Sequence, residues 1–261
     1  MRDETLARAS AGELARIRGV LFDLDDTVLT HGVLTRRAYD ALWSLRDAGL
    51  RLVAVTGRPS AWGEVVARQW PVDAAITENG AVLLRRSGRG LDRVEACLPD
   101  ERRERRERLE ALVHDVAQHV PEVSLTDDVH GRISDVTWDV GERVTLGESV
   151  VRRLVDVIAM HGARSTRSSV HVHATFDGDD KASGVVRYLV SLGEDATSAR
   201  FEHAFIGDSG NDAACFAAFD LTVGVANVAA HLRRLVVPPR YVTEGERGEG
   251  FAEFAHALLT R

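Results

Sequence analysis

The stretch Val20-Leu21-Phe22-Asp23-Leu24-Asp25-Asp26-Thr27 decides the reading of the chain. It opens as a short apolar run of the kind that forms a buried strand. It then breaks into three carboxylates and a threonine. Negative charge at the end of a buried strand needs a cation beside it. If the backbone stays extended, its period of two puts Asp23 and Asp25 on one side and Leu24 on the other. Two acids projecting together suit a hard cation that takes oxygen ligands. Asp26 is then expected to point elsewhere or to turn the chain.

Strand and helix signals alternate outward from this point. Thr35 reads as an N-cap, Ala38, Leu42 and Leu45 follow at helical spacing, and Gly49 is a stop. Leu50 to Val55 is a second apolar strand ending in Thr56-Gly57-Arg58-Pro59, and a helix follows Pro59. Ala74-Ala75-Ile76 is a third strand, closing on Thr77-Glu78-Asn79-Gly80. This order predicts a parallel sheet with helices on both faces. A short polar helix is expected over residues 3–16.

The texture changes near residue 85. Arg85 to Gly90 reads as a hinge or turn. Glu101 to Val120 reads as one long helix, its charged first half a solvated face of ion pairs. Strands are expected at 123–126 and 132–140, a helix from Glu148 to Met160, and an alternating strand from Ser169 to Thr175. That strand places Val170, Val172 and Ala174 on one face and His171, His173 and Thr175 on the other. The first texture resumes with a helix opened by Lys181, the strand Phe205-Ile206-Gly207, and Asp208-Ser209-Gly210-Asn211-Asp212. Further elements are a strand from Leu221 to Val225, a helix from Val228 to Val237, a short strand at Tyr241-Val242 and a terminal helix. The expected fold class is α/β: a Rossmann-like parallel core of residues 1–84 and 177–261, with an inserted α+β cap at 85–176.

Bulk composition excludes little but is consistent. The chain has 261 residues, 44% hydrophobic and 28% charged, with formal net charge -7. That composition is typical of a globular protein and argues against general nucleic-acid binding. Cys97 and Cys215 stand in apolar surroundings, as inert thiols of a reducing compartment would. Met1-Arg2-Asp3-Glu4 leads no apolar segment, so no signal peptide is expected, and no run reaches membrane-spanning length. A cytoplasmic location follows as an expectation. Trp43, Trp62, Trp70 and Trp138 are expected to pack.

Three polar clusters follow the carboxyl ends of expected parallel strands: Asp23 with Asp25, Thr56, and Asp208 with Asn211 and Asp212. Ligands of open α/β sheets bind at that edge. Repulsion among Asp23, Asp25 and Asp208 would raise their pKa values unless a cation sits between them. Mg²⁺ fits, because it takes one or two carboxylates and keeps places for water and phosphate oxygen. Lys181 at a helix N-terminus opposes the macrodipole by ~0.3–1 kcal/mol, so its position beside the acids suggests that it holds a phosphate and a nucleophile together.

Asp23-Leu24-Asp25-Asp26-Thr27, Thr56-Gly57-Arg58, Lys181 and Gly207-Asp208-Ser209-Gly210-Asn211-Asp212 resemble, in order, the four motifs of the haloacid dehalogenase superfamily. Insertion after the second motif resembles the subgroup with a large α/β cap, which includes Cof-type, sucrose-phosphate, trehalose-phosphate and mannosyl-3-phosphoglycerate phosphatases and the phosphomannomutases. Glu78-Asn79-Gly80-Ala81 also resembles that subgroup; Asp26 departs from it, since many relatives carry glycine there. The resemblance implies a Mg²⁺-dependent phosphatase acting on a small phosphate ester, with a sugar phosphate as the expected substrate. It implies Asp23 as nucleophile and Asp25 as acid and base, with Thr56, Gly57 and Lys181 on the phosphoryl oxygens. Asp23, the Asp25 carbonyl and Asp208 would hold the metal, oriented by Asn211 and Asp212. Asn79, Arg132, His171, His173 and Asp177 are the expected leaving-group contacts; the two histidines lack a third ligand for zinc. A phosphomutase, or a silent binding protein on the same scaffold, is the alternative.

Overall fold

The computed structural model describes residues 4–168 and 170–261. Its spine is a nine-stranded sheet. In spatial order the strands are Glu4–Thr5, Tyr241–Val242, Leu221–Gly224, His203–Gly207, Gly19–Phe22, Arg51–Val55, Ala74–Thr77, Val82–Ser87 and Gly90–Glu95. The first seven pair in parallel and the last two antiparallel. Gly19–Phe22 lies at the centre and is wholly buried, which is why it reads as an unbroken apolar run.

Helices cover both faces. One core gathers Phe22, Leu42, Leu45, Leu52, Phe251 and Phe254; the opposite core gathers Leu21, Val53, Ile76, Val185, Leu189, Phe205 and Phe216. Burying each of these large side chains contributes roughly 1.5–3 kcal/mol. Thr35 caps helix Arg36–Asp47 by accepting from the Ala38 N–H at 3.3 Å, and Gly49 ends it at φ +82°. Both follow the sequence reading.

A second unit stands over the carboxyl edge. Four antiparallel strands, in the order Arg164–Arg167, His171–Thr175, Asp135–Asp139 and Ser124–Leu125, carry helices Pro99–His119 and Glu148–Met160 on one face. Leu109, Leu112, Val116, Leu154 and Ile158 pack there against Val136, Trp138, Val172 and Ala174. The opposite face, with His171 and His173, looks toward the main sheet.

Several expectations change. The 3–16 helix is replaced by strand Glu4–Thr5, a 3-10 turn Leu6–Arg8 and helix Ala11–Ala15, because Ser10 forms a capping box with Glu13. Pairing extends the main sheet to Glu95, so the expected boundary between 84 and 85 falls inside a hairpin whose tip is Gly88 at φ +58°. The expected helix from Val228 to Val237 is two 3-10 turns, Ala226–Ala230 and Leu232–Arg234. The charged helix is not wholly solvated: Arg102 is buried. Trp43 is 44% exposed rather than packed inside. Asp3 and Ser169, where the first helix and the cap strand were to begin, lie outside the described residues. Among the described residues no helix is long and apolar enough to cross a membrane.

Helix Lys181–Ser191 crosses the turn after strand Ala74–Thr77 with no room to spare. A Cβ on Gly184 would lie 2.6 Å from the Gly80 Cα and 2.7 Å from its carbonyl oxygen, both backbone atoms. Gly184→Ala is therefore expected to destabilise the fold by about 1–3 kcal/mol, read as a lower urea midpoint with an unchanged slope. An unchanged midpoint would show that this crossing can loosen freely.

Candidate active site

The expected residues meet at the carboxyl edge of the sheet. Asp23 follows the central strand, its N–H donating to the Ile206 carbonyl at 3.0 Å. The chain turns at Asp26, whose φ of 54° lies in the left-handed region. Asp208 and Asp212 arrive from the neighbouring strand. One carboxylate oxygen from each of Asp23, Asp208 and Asp212 lies within 4.8 Å of the others, and all three residues are buried.

Lys181 ties this cluster together. Its Nζ is fully buried and donates to Asp23 Oδ1 at 2.6 Å and to Asp212 Oδ1 at 2.7 Å. The helix start beneath it is capped by Asp180, which accepts from the Ser183 N–H at 2.8 Å. Asp212 is engaged at both oxygens, because its Oδ2 accepts the N–H groups of Asp208 and Ser209 at 2.9 and 3.0 Å. Asp208 Oδ2 accepts from Asn227 Nδ2 at 3.2 Å. Asp23 Oδ2 and Asp208 Oδ1 have no partner among the described residues. They are the oxygens of the cluster left unpartnered, while both oxygens of Asp212 are engaged.

Burial is the first cause of the electrostatics here. It pushes the Asp23 carboxyl up to about 7; Lys181 pulls it down, while Asp212 and Asp25 push it further up. Asp208 is raised well above the usual carboxylate range, again by burial first and then by Asp23. The sequence reading made repulsion the cause, and desolvation outweighs it. When all three acids ionise, one lysine leaves two negative charges uncompensated, the charge a divalent cation carries. Oxygen donors with two free valences at this spacing fit such an ion.

Above the cluster opens a cleft of about 410 Å³ between the two units, lined by Asp23, Asp25, Gly57, Arg132, His171 and His173 of the expected residues, with Asn211. Thr56 lies beneath this surface, buried, its Oγ1 accepting the Arg58 N–H at 3.1 Å. Asn79 reaches the site through Asn211, whose Nδ2 donates to Asn79 Oδ1 at 3.1 Å. His173 sits over Gly57 with Nδ1 3.0 Å from Asp135 Oδ2. Its imidazole pKa is lowered by burial despite Asp135. A neutral ring that donates from Nδ1 leaves Nε2 as an acceptor. His171 is less buried and pairs through Nε2 with Glu142 at 2.8 Å.

Asp177 is the misplaced expectation. It does not line the cleft; it is buried in ion pairs with Arg102, at 2.6 Å, and Arg105. The same pairs account for the buried charge of the long helix. Arg132 lines the cleft but is spent on Asp135, Asp128 and the Gly57 carbonyl.

Sequence reasoning assigned no role to Arg58, Asn227 or Arg247. Arg58 stacks on Trp62, 4.2 Å from the ring centroid, and grips Asp25 with Nε and Nη2 at 2.9 and 2.6 Å. Asn227 also donates to the Asp26 carbonyl at 2.9 Å, and Arg247 Nε donates to Asp26 Oδ1 at 2.9 Å. Arg58 belongs to the Thr56-Gly57-Arg58 motif, and that is its local signal. Nothing local marks Asn227 or Arg247.

An α/β fold with buried acids gathered at the carboxyl edge of its sheet, beneath an inserted cap, is the class this arrangement defines. Residues 20–94 match the haloacid dehalogenase-like hydrolase family, and no curated protein matches the chain in sequence. Solved structures of similar fold span nearly the whole chain. A Thermoplasma acidophilum protein superposes with TM-score 0.74 at 15% identity, covering 94% of this chain and 99% of its own. The sucrose-phosphatase of Synechocystis sp., solved with sucrose and phosphate, gives 0.66 at 16%, covering 93% and 98%. A phosphatase of the haloalkanoate dehalogenase superfamily from Bacteroides thetaiotaomicron gives 0.65 at 17%, covering 98% of each chain. The family match covers the stretch that carries Asp23, Asp25 and Thr56, and the likeness to these solved structures is one of fold, an α/β core with a large inserted cap.

The raised carboxyls make metal-free stability depend on pH. Asp23 and Asp208 hold protons in the folded state at pH values where the unfolded carboxyls, near 4, have lost theirs. Stability of chelated protein is therefore expected to fall as pH rises from about 4 to about 7. Adding Mg²⁺ is expected to raise the melting temperature, and by more at pH 7.5 than at pH 5. A melting temperature indifferent to Mg²⁺ at both pH values would show that the cluster holds no such ion.

Proposed function

We propose that this chain is a Mg²⁺-dependent phosphatase that hydrolyses a small monophosphate ester, a sugar phosphate in the first instance, through an aspartyl-phosphate on Asp23. The observation that carries this reading is the state of Asp23. One oxygen is pinned by Lys181 at 2.6 Å, and the side chain lines the cleft with its other oxygen unpartnered. A carboxylate is a weak nucleophile, so its value lies in being fixed in line with phosphorus. Attack forms an Asp23 Oδ–P bond as the bond from phosphorus to the leaving oxygen breaks. Water then cleaves the acyl phosphate and releases inorganic phosphate.

Asp25 would protonate the leaving oxygen and afterwards take a proton from the attacking water. Its grip by Arg58 holds it at the cleft wall, and proton donation requires that pair to part as the ester enters. Thr56, the Gly57 backbone and Lys181 would bind phosphoryl oxygens. Held by Asp23, the Asp25 carbonyl and Asp208, with Asn211 and Asp212 behind them, Mg²⁺ would supply the positive charge that phosphoryl transfer needs.

The cleft's charge favours a phosphatase over a mutase. A mutase must hold a second phosphate on the cap side. On that side Arg132 is already engaged by Asp128 and Asp135. Asp26, Asp128 and Glu142 add negative charge to the same walls. A neutral, hydroxyl-rich leaving group meets donors and acceptors there, including His173 Nε2; a second anion meets repulsion. Likeness of fold to a sucrose-phosphatase supports the same class.

A phosphate-release screen with Mg²⁺ over monophosphate esters is expected to find turnover without an added bisphosphate. Asp23→Asn is expected to cut kcat by a factor on the order of 10³ or more with the circular dichroism spectrum unchanged. Wild-type turnover by that variant would end the covalent mechanism, and strict dependence on a bisphosphate would favour the mutase.

A further inference from the structure

The cap meets the catalytic edge at residues 131–134, and this contact is held by a side chain that the phosphoryl-transfer scheme leaves unused. Glu78 leaves strand Ala74–Thr77 at φ 50°, and Asn79 follows at 52°. Two successive non-glycine residues in the left-handed region persist only when their surroundings enforce them. The Glu78 carboxylate is buried and spans the two units. From the core it accepts the Ser60 N–H at 2.9 Å. From the cap it accepts the Ile133 N–H at 3.0 Å, the Ser134 N–H at 2.5 Å and the Ser134 hydroxyl at 2.7 Å. The Ser60 hydroxyl returns the contact by donating to the Gly131 carbonyl at 3.1 Å.

Arg132 carries the contact into the phosphate-binding turn. Asp135 and Asp128 fix its guanidinium within the cap, and Nη1 donates across the interface to the Gly57 carbonyl at 2.9 Å. That carbonyl shares a rigid peptide plane with the Arg58 N–H, which donates to Thr56 Oγ1 at 3.1 Å. The N–H groups of Glu78 and Asn79 in turn hold the carbonyls of Arg58 and Thr56 at 3.0 and 3.1 Å. The Thr56–Arg58 turn is thus gripped from the core by the backbone of Glu78 and Asn79 and from the cap by Arg132.

We propose that Glu78 and Arg132 form a docking latch through which seating of the cap completes the Thr56–Arg58 turn. They are positioning residues, and phosphoryl binding is assembled only in the docked state. This rests on the phosphoryl-transfer reading above. Lifting the cap strips Glu78 of its cap donors and removes the charged donor from the Gly57 carbonyl, so the turn loosens as the cleft opens.

Two variants test the latch from its cap side: Ser134→Ala, which removes one donor to Glu78, and Arg132→Lys, which keeps charge but loses the guanidinium geometry. Glu78→Gln tests it from the core. Hydrogen exchange read by mass spectrometry on the whole chain is expected to rise severalfold in 131–134 and also in 56–60. With Mg²⁺ and p-nitrophenyl phosphate, kcat is expected to fall roughly tenfold to a hundredfold, with the Mg²⁺ requirement little changed. Cap variants that melt lower yet exchange like wild type in 56–60 and keep wild-type kcat would overturn the latch and leave simple adhesion. Should Glu78→Gln fail to fold, the two cap variants still decide. An active Asp23→Asn would sink the phosphoryl-transfer reading instead, and it is read separately from the exchange.

Discussion

A fully buried ammonium between two buried carboxylates is the constraint on which the rest of this structure depends. Lys181 cannot stay charged without water unless Asp23 and Asp212 stay within hydrogen-bond reach. That requirement joins three parts of the chain far apart in sequence: the central strand, the strand before Asp208, and the helix entered after the cap. It also explains why the helix must lie so low on the sheet that Gly184 touches the Gly80 backbone. Losing either carboxylate would leave the lysine short of a partner in the least tolerant part of the core.

The parts of this arrangement that were legible in the sequence are those written locally. Apolar runs of four or five residues ending in acids announced the strands, and the cap of Thr35 and the stop at Gly49 bounded a helix. The alternation in His171–Thr175 assigned the two faces of a cap strand. What stayed hidden depends on partners distant in sequence. Asp177 was expected to touch a leaving group, yet Arg102 and Arg105 claim it from about seventy residues away. The charge run that contains those arginines read as a solvated face because its partner lies outside the helix. The strand Gly90–Glu95 carries Arg and Asp on a sheet edge, and only pairing with Val82–Ser87 makes it a strand.

Electrostatics was legible in kind but not in cause. Acids close together suggest repulsion, and the sequence offers no measure of burial. In the folded chain desolvation leads for Asp23 and Asp208, and neighbouring charges come second. The difference matters chemically. Repulsion alone could be relieved by moving a side chain, whereas desolvation is relieved by a proton or by a countercharge small enough to enter the same buried volume. A site built by burial is therefore selective for something small and multiply charged.

Asp26 shows how the same edge tolerates an extra acid. Glycine would suit its left-handed φ of 54°, and an aspartate there brings both backbone strain and negative charge toward Asp208. Arg247 answers the charge by donating to Asp26 Oδ1, and its own N–H donates to Asn227 Oδ1 at 3.0 Å. Asn227 in turn holds both the Asp26 carbonyl and Asp208 Oδ2. The added carboxylate is thus drawn away from the cluster by an arginine whose backbone orients the amide that positions a cluster member. A departure from the motif becomes tolerable when its countercharge is tied to the geometry it would otherwise disturb. Arg247 pays for its own left-handed φ of 52° through that same network.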